Sequence, residues 1–518
     1  MSSNPAYGDD TPIAAFATPL AESALAIIRT SGRNTPELLA NIFSRPEKLL
    51  NAPGNSIIHG WIVENSNTAT DSVTASRRID EVLVSVYRAP RSYTGEDSAD
   101  ISCHGGIAAA KAVMGALKAA GFRDALPGEF TFRAFMNNKL DLTRSESVME
   151  LVSAKTDQGR RHAVNRLSGA LEQEITGIKN LLVQVLAETE IYLDYSEEEV
   201  SEGAGNFPGL ATAGEARSRL ETLAATYRRE RLYQEGALAV IAGRPNAGKS
   251  SLFNLLLKED RSIVTDIPGT TRDWIEALVG IEGIPVRLAD TAGLRGLPVD
   301  SAGAPPMAPL DPVEKIGIER SRELLAKADL VLYVIDGAEG ITAEDRVFLD
   351  EFGDDINKKT PMLILWNKAD IAGAPATLSL IKKNLNHKVK EVTQSKEAEQ
   401  GAAVLPVSAK TGVGIPALTA AIAGALTMAA SGCPLGNTAH DGDGTEYSPG
   451  IATPRQKELV DAALDAVTET LLLTEKREPL DLIAPLLREA VNSLGEITGE
   501  VSTADILETM FSRFCVGK

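Results

Sequence analysis

The stretch Gly243-Arg244-Pro245-Asn246-Ala247-Gly248-Lys249-Ser250-Ser251 constrains this chain more than any other. It follows an apolar run and precedes a helical pattern through Leu257, the strand, loop and helix context in which a G-x-x-x-x-G-K-S sequence wraps a phosphate chain. Glycine lets the backbone close round the anion, and main-chain amides and the helix N-terminus bind its oxygens. Lys249 reaches the β and γ phosphates, while Ser250 offers a hydroxyl to Mg2+. Such a loop belongs to an α/β core. Apolar runs at 237–242, 285–288, 330–335, 362–365 and 404–407, separated by helical patterns, predict a mostly parallel sheet.

Three partner motifs follow in order, each after an apolar run: Asp290-Thr291-Ala292-Gly293, Asn367-Lys368-Ala369-Asp370 and Ser408-Ala409-Lys410. A chance glycine-rich turn would not bring these with it. Asp290 is placed to hold magnesium through water, and the Gly293 amide to sense the γ-phosphate. Asp370 decides the base. Its carboxylate accepts from guanine N1–H and the 2-amino group together, whereas adenine would leave the charge unpaired. GTP is therefore expected over ATP, with the Lys368 stem packed on the base and the 408–410 loop over its other edge. Thr265-Asp266-Ile267-Pro268-Gly269-Thr270-Thr271 stands where a first switch loop belongs, and Thr271 is the expected second hydroxyl on Mg2+.

Small switches orient water with a Gln directly after Asp-x-x-Gly. Here Leu294-Arg295 occupies that place, which puts Arg295 among the catalytic candidates and leaves the water to another group. Asp300, Asp311 and Glu314 are the acidic choices, and the residues alone do not rank them. Asn246 supplies a neutral oxygen donor close to where an arginine finger would put positive charge, so a monovalent cation can serve in its place.

Two other textures flank this region. Residues 1–136 mix short β-like runs, such as 82–87, with an alanine-rich helical stretch at 107–120, an α+β domain. From 145 to 193, Leu167, Leu171, Ile175, Ile178, Leu182 and Val185 recur at spacings of three and four, predicting one long amphipathic helix that needs a partner. The spacing returns at Leu459, Ala463, Val467 and Leu471, then at Ile483, Leu487, Ala490 and Leu494. The expected architecture is a multidomain α/β chain. An N-terminal domain covers 1–136, an all-helical domain is split between 137–233 and 429–518, and a phosphate-loop domain at 234–428 is inserted into it. Segments 296–312 and 436–450, rich in Gly, Pro, Ser, Asp and Thr, read as flexible surface loops.

A length of 518 residues gives room for three or four domains at roughly 150 residues each. The net charge of -19 argues against a surface coated with phosphate-binding Lys and Arg, so any RNA contact is local or shared with a partner. Arg160, Arg161 and Arg166 form a candidate patch, for which a solvated helix face is the plainer reading. No apolar run nears the roughly 18 residues that span a bilayer, and no targeting signal is visible, so no membrane association and a cytoplasmic location are expected. Three scattered cysteines, Cys103, Cys433 and Cys515, make no disulfide framework.

Further motifs extend the likeness to a known family: Arg91-Ser-Tyr-Thr-Gly-Glu-Asp97, Cys103-His-Gly-Gly106, Pro127-Gly-Glu-Phe-Thr-Phe-Arg-Ala-Phe135, Asn138-Lys-Leu-Asp-Leu142 and Cys515-Val-Gly-Lys518. With them, nearly the whole chain resembles the MnmE (TrmE) family of tRNA-modification GTPases, within the TrmE-Era-EngA-YihA-Septin-like class. The resemblance implies an N-terminal domain that binds folate and dimerises, a homodimer, and a partner, the FAD-dependent MnmG (GidA). It implies that the pair modifies carbon 5 of the wobble uridine of certain tRNAs to an aminomethyl-type (carboxymethylaminomethyl) group. The one-carbon unit would come from a tetrahydrofolate derivative, 5,10-methylene or 5-formyl, while potassium-stimulated GTP hydrolysis drives a conformational cycle. Residue by residue, Asn246 matches a potassium ligand, Thr265, Ile267 and Thr270 the potassium loop, and Glu314 the water-orienting glutamate. Arg29, Glu96, Lys139 and Lys518 match folate-site positions, and Cys515 the family's C-terminal cysteine near the folate, as nucleophile or acid/base. Pro268 stands where a small residue is usual, and 296–312 is longer than the family's connection. Cys103 and Cys433 read as inert small residues, and His104 as either structural or catalytic. The rival reading is a ribosome-assembly GTPase switch with accessory domains, from which the N-terminal domain and Cys515 discriminate.

Overall fold

The computed structural model describes residues 7, 9–64, 77–194, 209–259, 275–290, 323–355, 360–371, 404–431, 449–501, 504–512 and 514–517. The chain divides into two compact units. One comprises Met1–Val152, Arg166–Ser218 and Leu459–Lys518, the other Ser153–Asn165 and Arg219–Glu458.

The first unit opens on a six-stranded sheet of β1 (Ile13–Phe16), β2 (Leu25–Ser31), β3 (Ser56–Val63), β4 (Arg78–Tyr87), β5 (Ser98–His104) and β6 (Arg123–Asp124), in the order β3-β4-β5-β2-β1-β6. Only the β1–β6 pair is parallel. The 82–87 run is the second half of β4, where Val82, Val84 and Val86 are buried and Glu81 and Leu83 exposed, the alternation of a sheet with one packed face. The Ile107–Ala120 helix covers that face with Val113 and Leu117 and stops at Gly121, whose φ of 113° suits only glycine.

Glu129, fully buried, begins the Glu129–Met136 helix. It accepts from both Arg123 terminal nitrogens at 2.8 and 2.6 Å, from Arg133 at 3.0 Å and from the Leu126 amide at 2.8 Å. Removing one partner of a buried ionic cluster leaves charge uncompensated. Glu129→Ala is therefore expected to destabilise this unit by about 3–5 kcal/mol, seen as an earlier urea midpoint in Trp61-dependent fluorescence. An unchanged midpoint would contradict it.

The single long helix expected over 145–193 is instead three: Leu142–Ser153, Asp157–Leu167 and Ala170–Asp194. The break before the third falls at Gly169, φ 99°, where an added Cβ would lie 2.1 Å from an Arg144 nitrogen. The apolar spacing itself holds in the third helix, since Leu171, Ile175, Ile178, Leu182 and Val185 are all buried. Their partner is the Leu480–Thr498 helix, with Ile483, Leu487, Ala490 and Leu494 buried in turn. Each such Leu, Ile or Val contributes about 2 kcal/mol.

The second unit contains a six-stranded sheet of β7 (Ala237–Gly243), β8 (Ile275–Ile281), β9 (Ile284–Asp290), β10 (Leu330–Asp336), β11 (Met362–Asn367) and β12 (Val404–Pro406), ordered β12-β11-β10-β7-β9-β8. The five strands expected from sequence pair in parallel. The sixth, β8, escaped the pattern: it is an antiparallel edge joined to β9 by Glu282 and Gly283, both at positive φ as a tight hairpin turn requires. Alternate β7 residues serve two layers. Ala237, Ala239 and Ile241 meet the Lys249–Glu259 and Ile415–Ser431 helices, while Leu238, Val240 and Ala242 face the layer of Leu324 and Phe348. The carboxyl ends of these parallel strands are where such a fold presents ligands.

Candidate nucleotide site

β7 ends at Gly243, φ 140°, where a Cβ would stand 2.3 Å from the Val334 carbonyl oxygen. The loop then turns through Asn246 (φ 63°) and Gly248 (φ 94°) into the helix that starts at Lys249. Lys249 is buried and donates to the Gly243 and Arg244 carbonyls, both at 2.8 Å. Burial holds its pKa below the ordinary lysine value, against the opposing pull of Asp290. The Ser250 hydroxyl donates to Asp290 Oδ2 at 2.8 Å, so two oxygen donors of the kind that suit a hard divalent cation meet beside the loop. Ala247 is buried, whereas Asn246 and Ser251 are exposed.

The other motifs close on this loop through one side chain. Asn367, buried at the end of β11, donates from Nδ2 to the Ala247 carbonyl at 2.8 Å and accepts the Ala409 amide on Oδ1 at 3.0 Å. A Cβ on Gly248 would lie 2.1 Å from that Nδ2, so the glycine there permits the tie. Lys368, at φ 59°, pairs with Asp336 at 2.5 Å. Burial works to raise the Asp336 pKa, but Lys368 and the Ala338 amide hold it below the usual carboxylate range. The Ala369 amide bonds the Val407 carbonyl at 3.1 Å. The Ser408 hydroxyl donates to Asp370 Oδ1 at 2.7 Å and is the main reason that carboxyl titrates low, with exposed Lys410 adding to the effect. A charged carboxylate is thus presented to solvent on a braced loop. Asp336 was not singled out from sequence, because a lone Asp closing an apolar strand carries no signal of its partner.

Thr265, Asp266, Ile267, Pro268, Gly269, Thr270, Thr271, Thr291, Ala292, Gly293, Arg295, Asp300, Asp311, Glu314, Cys433, Lys518 and the 296–312 segment lie outside the described residues, as do all but 449 and 450 of 436–450.

In the N-terminal domain, Arg29 bonds Asp100 at 3.0 and 3.3 Å and lies 5.9 Å from the centre of the Tyr93 ring. Both line a cavity of about 210 Å³ with Thr30, Tyr87, Thr94, Ser98 and Phe130. Glu96 receives Ser31 at 2.8 Å and Arg133 at 3.0 Å on one oxygen, and Lys139 donates to the Pro90 carbonyl at 3.0 Å. The 90–97 loop therefore gathers Arg29, Glu96 and Lys139. Aromatic walls with a few fixed polar groups suit a flat heteroaromatic ligand. The 514–517 tail rests on this domain: the Gly128 amide donates to the Cys515 carbonyl at 3.3 Å, and Gly517 approaches the Phe16 carbonyl. His104 bonds Asp80 at 2.6 Å through Nδ1, which raises its pKa.

Cys515 is exposed, while Cys103 is buried, its thiol pushed up to about 11 by burial and Asp80. The thiolate is the reactive form. In a Cys433→Ser background, a thiol reagent at about pH 8 is expected to label Cys515 at once and Cys103 only on unfolding. Rapid labelling of both would overturn this. The arginine patch does not assemble: Arg166 is buried on Glu150 at 2.6 Å, and exposed Arg160 and Arg161 each pair with Asp157. Among the described residues, no helix is long and apolar enough to cross a membrane.

Comparison with known proteins covers nearly the full chain. Residues 12–139 match the family described as GTP-binding protein TrmE N-terminus, and residues 142–515 match the MnmE helical domain. A tRNA modification GTPase MnmE of Treponema denticola is 41% identical over 99% of both chains. Relatives of the same name from Treponema pallidum and Carboxydothermus hydrogenoformans are each 36% identical, over 99% of both chains and over 98% of this chain and 100% of that one.

Proposed function

Because the chain belongs to the MnmE family of tRNA modification GTPases, as family matches and full-length relatives establish, we propose a division of labour between GTP cleavage and carbon chemistry. The protein is a GTP hydrolase of tRNA modification. The observation that carries the nucleotide reading is the Asp370 carboxylate, aligned by Ser408 on a loop that Asn367 ties to the phosphate loop.

In this reading Lys249 spans the β and γ phosphates, and Asp370 accepts from the two guanine donors while Lys368 packs on the ring. Ser250 and Thr271, with Asp290 through water, would hold magnesium, which when bound neutralises charge developing on the phosphate oxygens. Asn246, with Thr265, Ile267 and Thr270, would hold potassium. Glu314 orients the attacking water, and the Gly293 amide senses the γ-phosphate. In the N-terminal domain, Arg29, Glu96, Lys139 and Lys518 would hold a one-carbon tetrahydrofolate, with Cys515 as nucleophile or acid/base. The protein acts in the cytoplasm as a homodimer with the FAD-dependent MnmG, converting carbon 5 of the wobble uridine of certain tRNAs to a carboxymethylaminomethyl-type group. Paired GTPase domains drive the conformational cycle.

Potassium is expected to raise GTP turnover at least about tenfold over sodium, and Glu314→Gln to lower kcat about a hundredfold at unchanged GTP affinity. Equal, negligible rates in both salts would remove the cation from the mechanism. Mass analysis of tRNA nucleosides from cells lacking the gene tests the whole assignment, and unchanged wobble uridines would refute it. Failure of 5-formyltetrahydrofolate to bind in a direct titration would return the choice to a ribosome-assembly switch.

A further inference from the structure

Arg244, the second residue of the phosphate loop, has a buried anchor. Its Nε lies 3.0 Å from Asp345 Oδ2 and its Nη1 3.1 Å from Glu339 Oε2. Asp345 is fully buried in the Ala343–Asp355 helix. Beside this ion pair, its carboxylate accepts the Tyr333 hydroxyl at 2.9 Å and the amide and hydroxyl of Thr342, both at 2.9 Å. A buried carboxylate with this many donors is a fixed point, since any movement would leave charge unpaired. The planar guanidinium is well suited to it, because little freedom is lost per contact made.

The other end of the same residue faces the chemistry. The Arg244 carbonyl accepts from Lys249 Nζ at 2.8 Å, alongside the Gly243 carbonyl. The preceding Gly243 sits at φ 140°, a conformation that glycine enters and leaves easily. Gly243 is held by its pairing with Val334 in the sheet, whereas the Arg244 carbonyl has on the backbone only a long bond from the Ala247 amide, 3.3 Å, to which the side-chain mooring adds a second restraint. Lys249 in turn must meet phosphate oxygens whose charge grows as the γ-phosphoryl group departs.

We propose that Arg244 is a positioning residue for GTP cleavage: moored on Asp345 and Glu339, it fixes the carbonyl that holds Lys249 over the phosphate loop. The role rests on the assignment of GTP cleavage to this loop, which turnover by the unaltered protein tests separately. A loss of alignment penalises the transition state more than the bound ground state.

The test uses the full-length protein and its variants Arg244→Ala, Arg244→Lys, Asp345→Asn and Glu339→Gln. Readouts are kcat and KM for GTP, stoichiometric titration with a fluorescent GDP, and melting temperature. Arg244→Ala is expected to lower kcat about thirtyfold, with KM changed less than threefold and GDP stoichiometry retained. Arg244→Lys, which keeps one charged contact, recovers part of the loss, as does added guanidinium in the Ala variant. The Arg244→Ala/Asp345→Asn double variant is no slower than Arg244→Ala alone, because both changes cut one tie. A kcat within twofold of the unaltered protein, or a loss of kcat matched by an equal loss of GDP-binding protein, would overturn the proposal. Should Arg244→Ala fail to fold, Glu339→Gln decides. Its target side chain is 63% exposed, so a two- to threefold lower kcat at unchanged melting temperature supports the tie, and unchanged kcat refutes it.

Discussion

Asp370→Asn is expected to weaken GTP binding on the order of a thousandfold and to move the preference to xanthosine triphosphate. The carboxylate only accepts, and guanine turns two donors toward it. A carboxamide offers one acceptor and one donor, so the guanine 2-amino group meets N–H against N–H. Xanthine carries an oxygen at that carbon, which restores the match. Ser408 holds Oδ1 of Asp370 at 2.7 Å and can hold the amide oxygen equally, so the loop survives the change. Displacement of fluorescent GDP by GTP, ATP and xanthosine triphosphate measures the switch. A variant that still prefers GTP would remove Asp370 from base recognition.

Lys249→Met should abolish turnover, by on the order of a thousandfold, and should also change how stability depends on pH. Burial lowers the Lys249 pKa from its ordinary 10.5. The folded chain therefore releases that proton more readily than the unfolded chain. Between the lowered folded value and 10.5 the unfolded chain binds more protons, so the folded state gains stability as pH rises through that window. Methionine fills similar space without a charge, and its stability should climb less over the same range. Denaturation midpoints of the two proteins at a series of pH values decide it, and parallel curves would mean that the lysine titrates alike in both states.

Among the described residues, the positions of the phosphate loop and of the strand-end motifs could be read from the chain because their chemistry is short-range. Gly243, Gly248, Lys249 and Ser250 are fixed by one turn of backbone, and each partner motif follows its own apolar strand. What could not be read are the ties across sequence. The Asn367 bond to Ala247 spans 120 positions, and the Arg244–Asp345 pair likewise has no local pattern. The edge strand β8 was missed because its two-residue turn, Glu282-Gly283, is not among the strongest hairpin signals. The helix break at Gly169 was missed because a single glycine is tolerated within many helices, and the positive φ of 99° that ends the helix there is not visible in the sequence. In the N-terminal domain, the resemblance brought Arg29, Glu96 and Lys139 into view. Asp100, Ser31 and Arg133, which set their orientation, emerge only once the strands are paired.

The seating of the Ala504–Phe511 helix and of residues 514–517 against the start of the Glu129–Met136 helix has a consequence in time. Phe132 and Leu142 share a cluster with Leu507, Phe511 and Phe514, yet roughly 390 positions separate Gly128 from Cys515. At ordinary rates of protein synthesis the ribosome needs on the order of 20–80 s to cover that distance. The N-terminal sheet can form early, but its aromatic seam waits, solvent-facing, until the last helix emerges. A nascent chain of this protein thus carries a sticky patch for most of its translation, a natural target for ribosome-associated chaperones, and a stop codon placed late in the message would damage the domain made first.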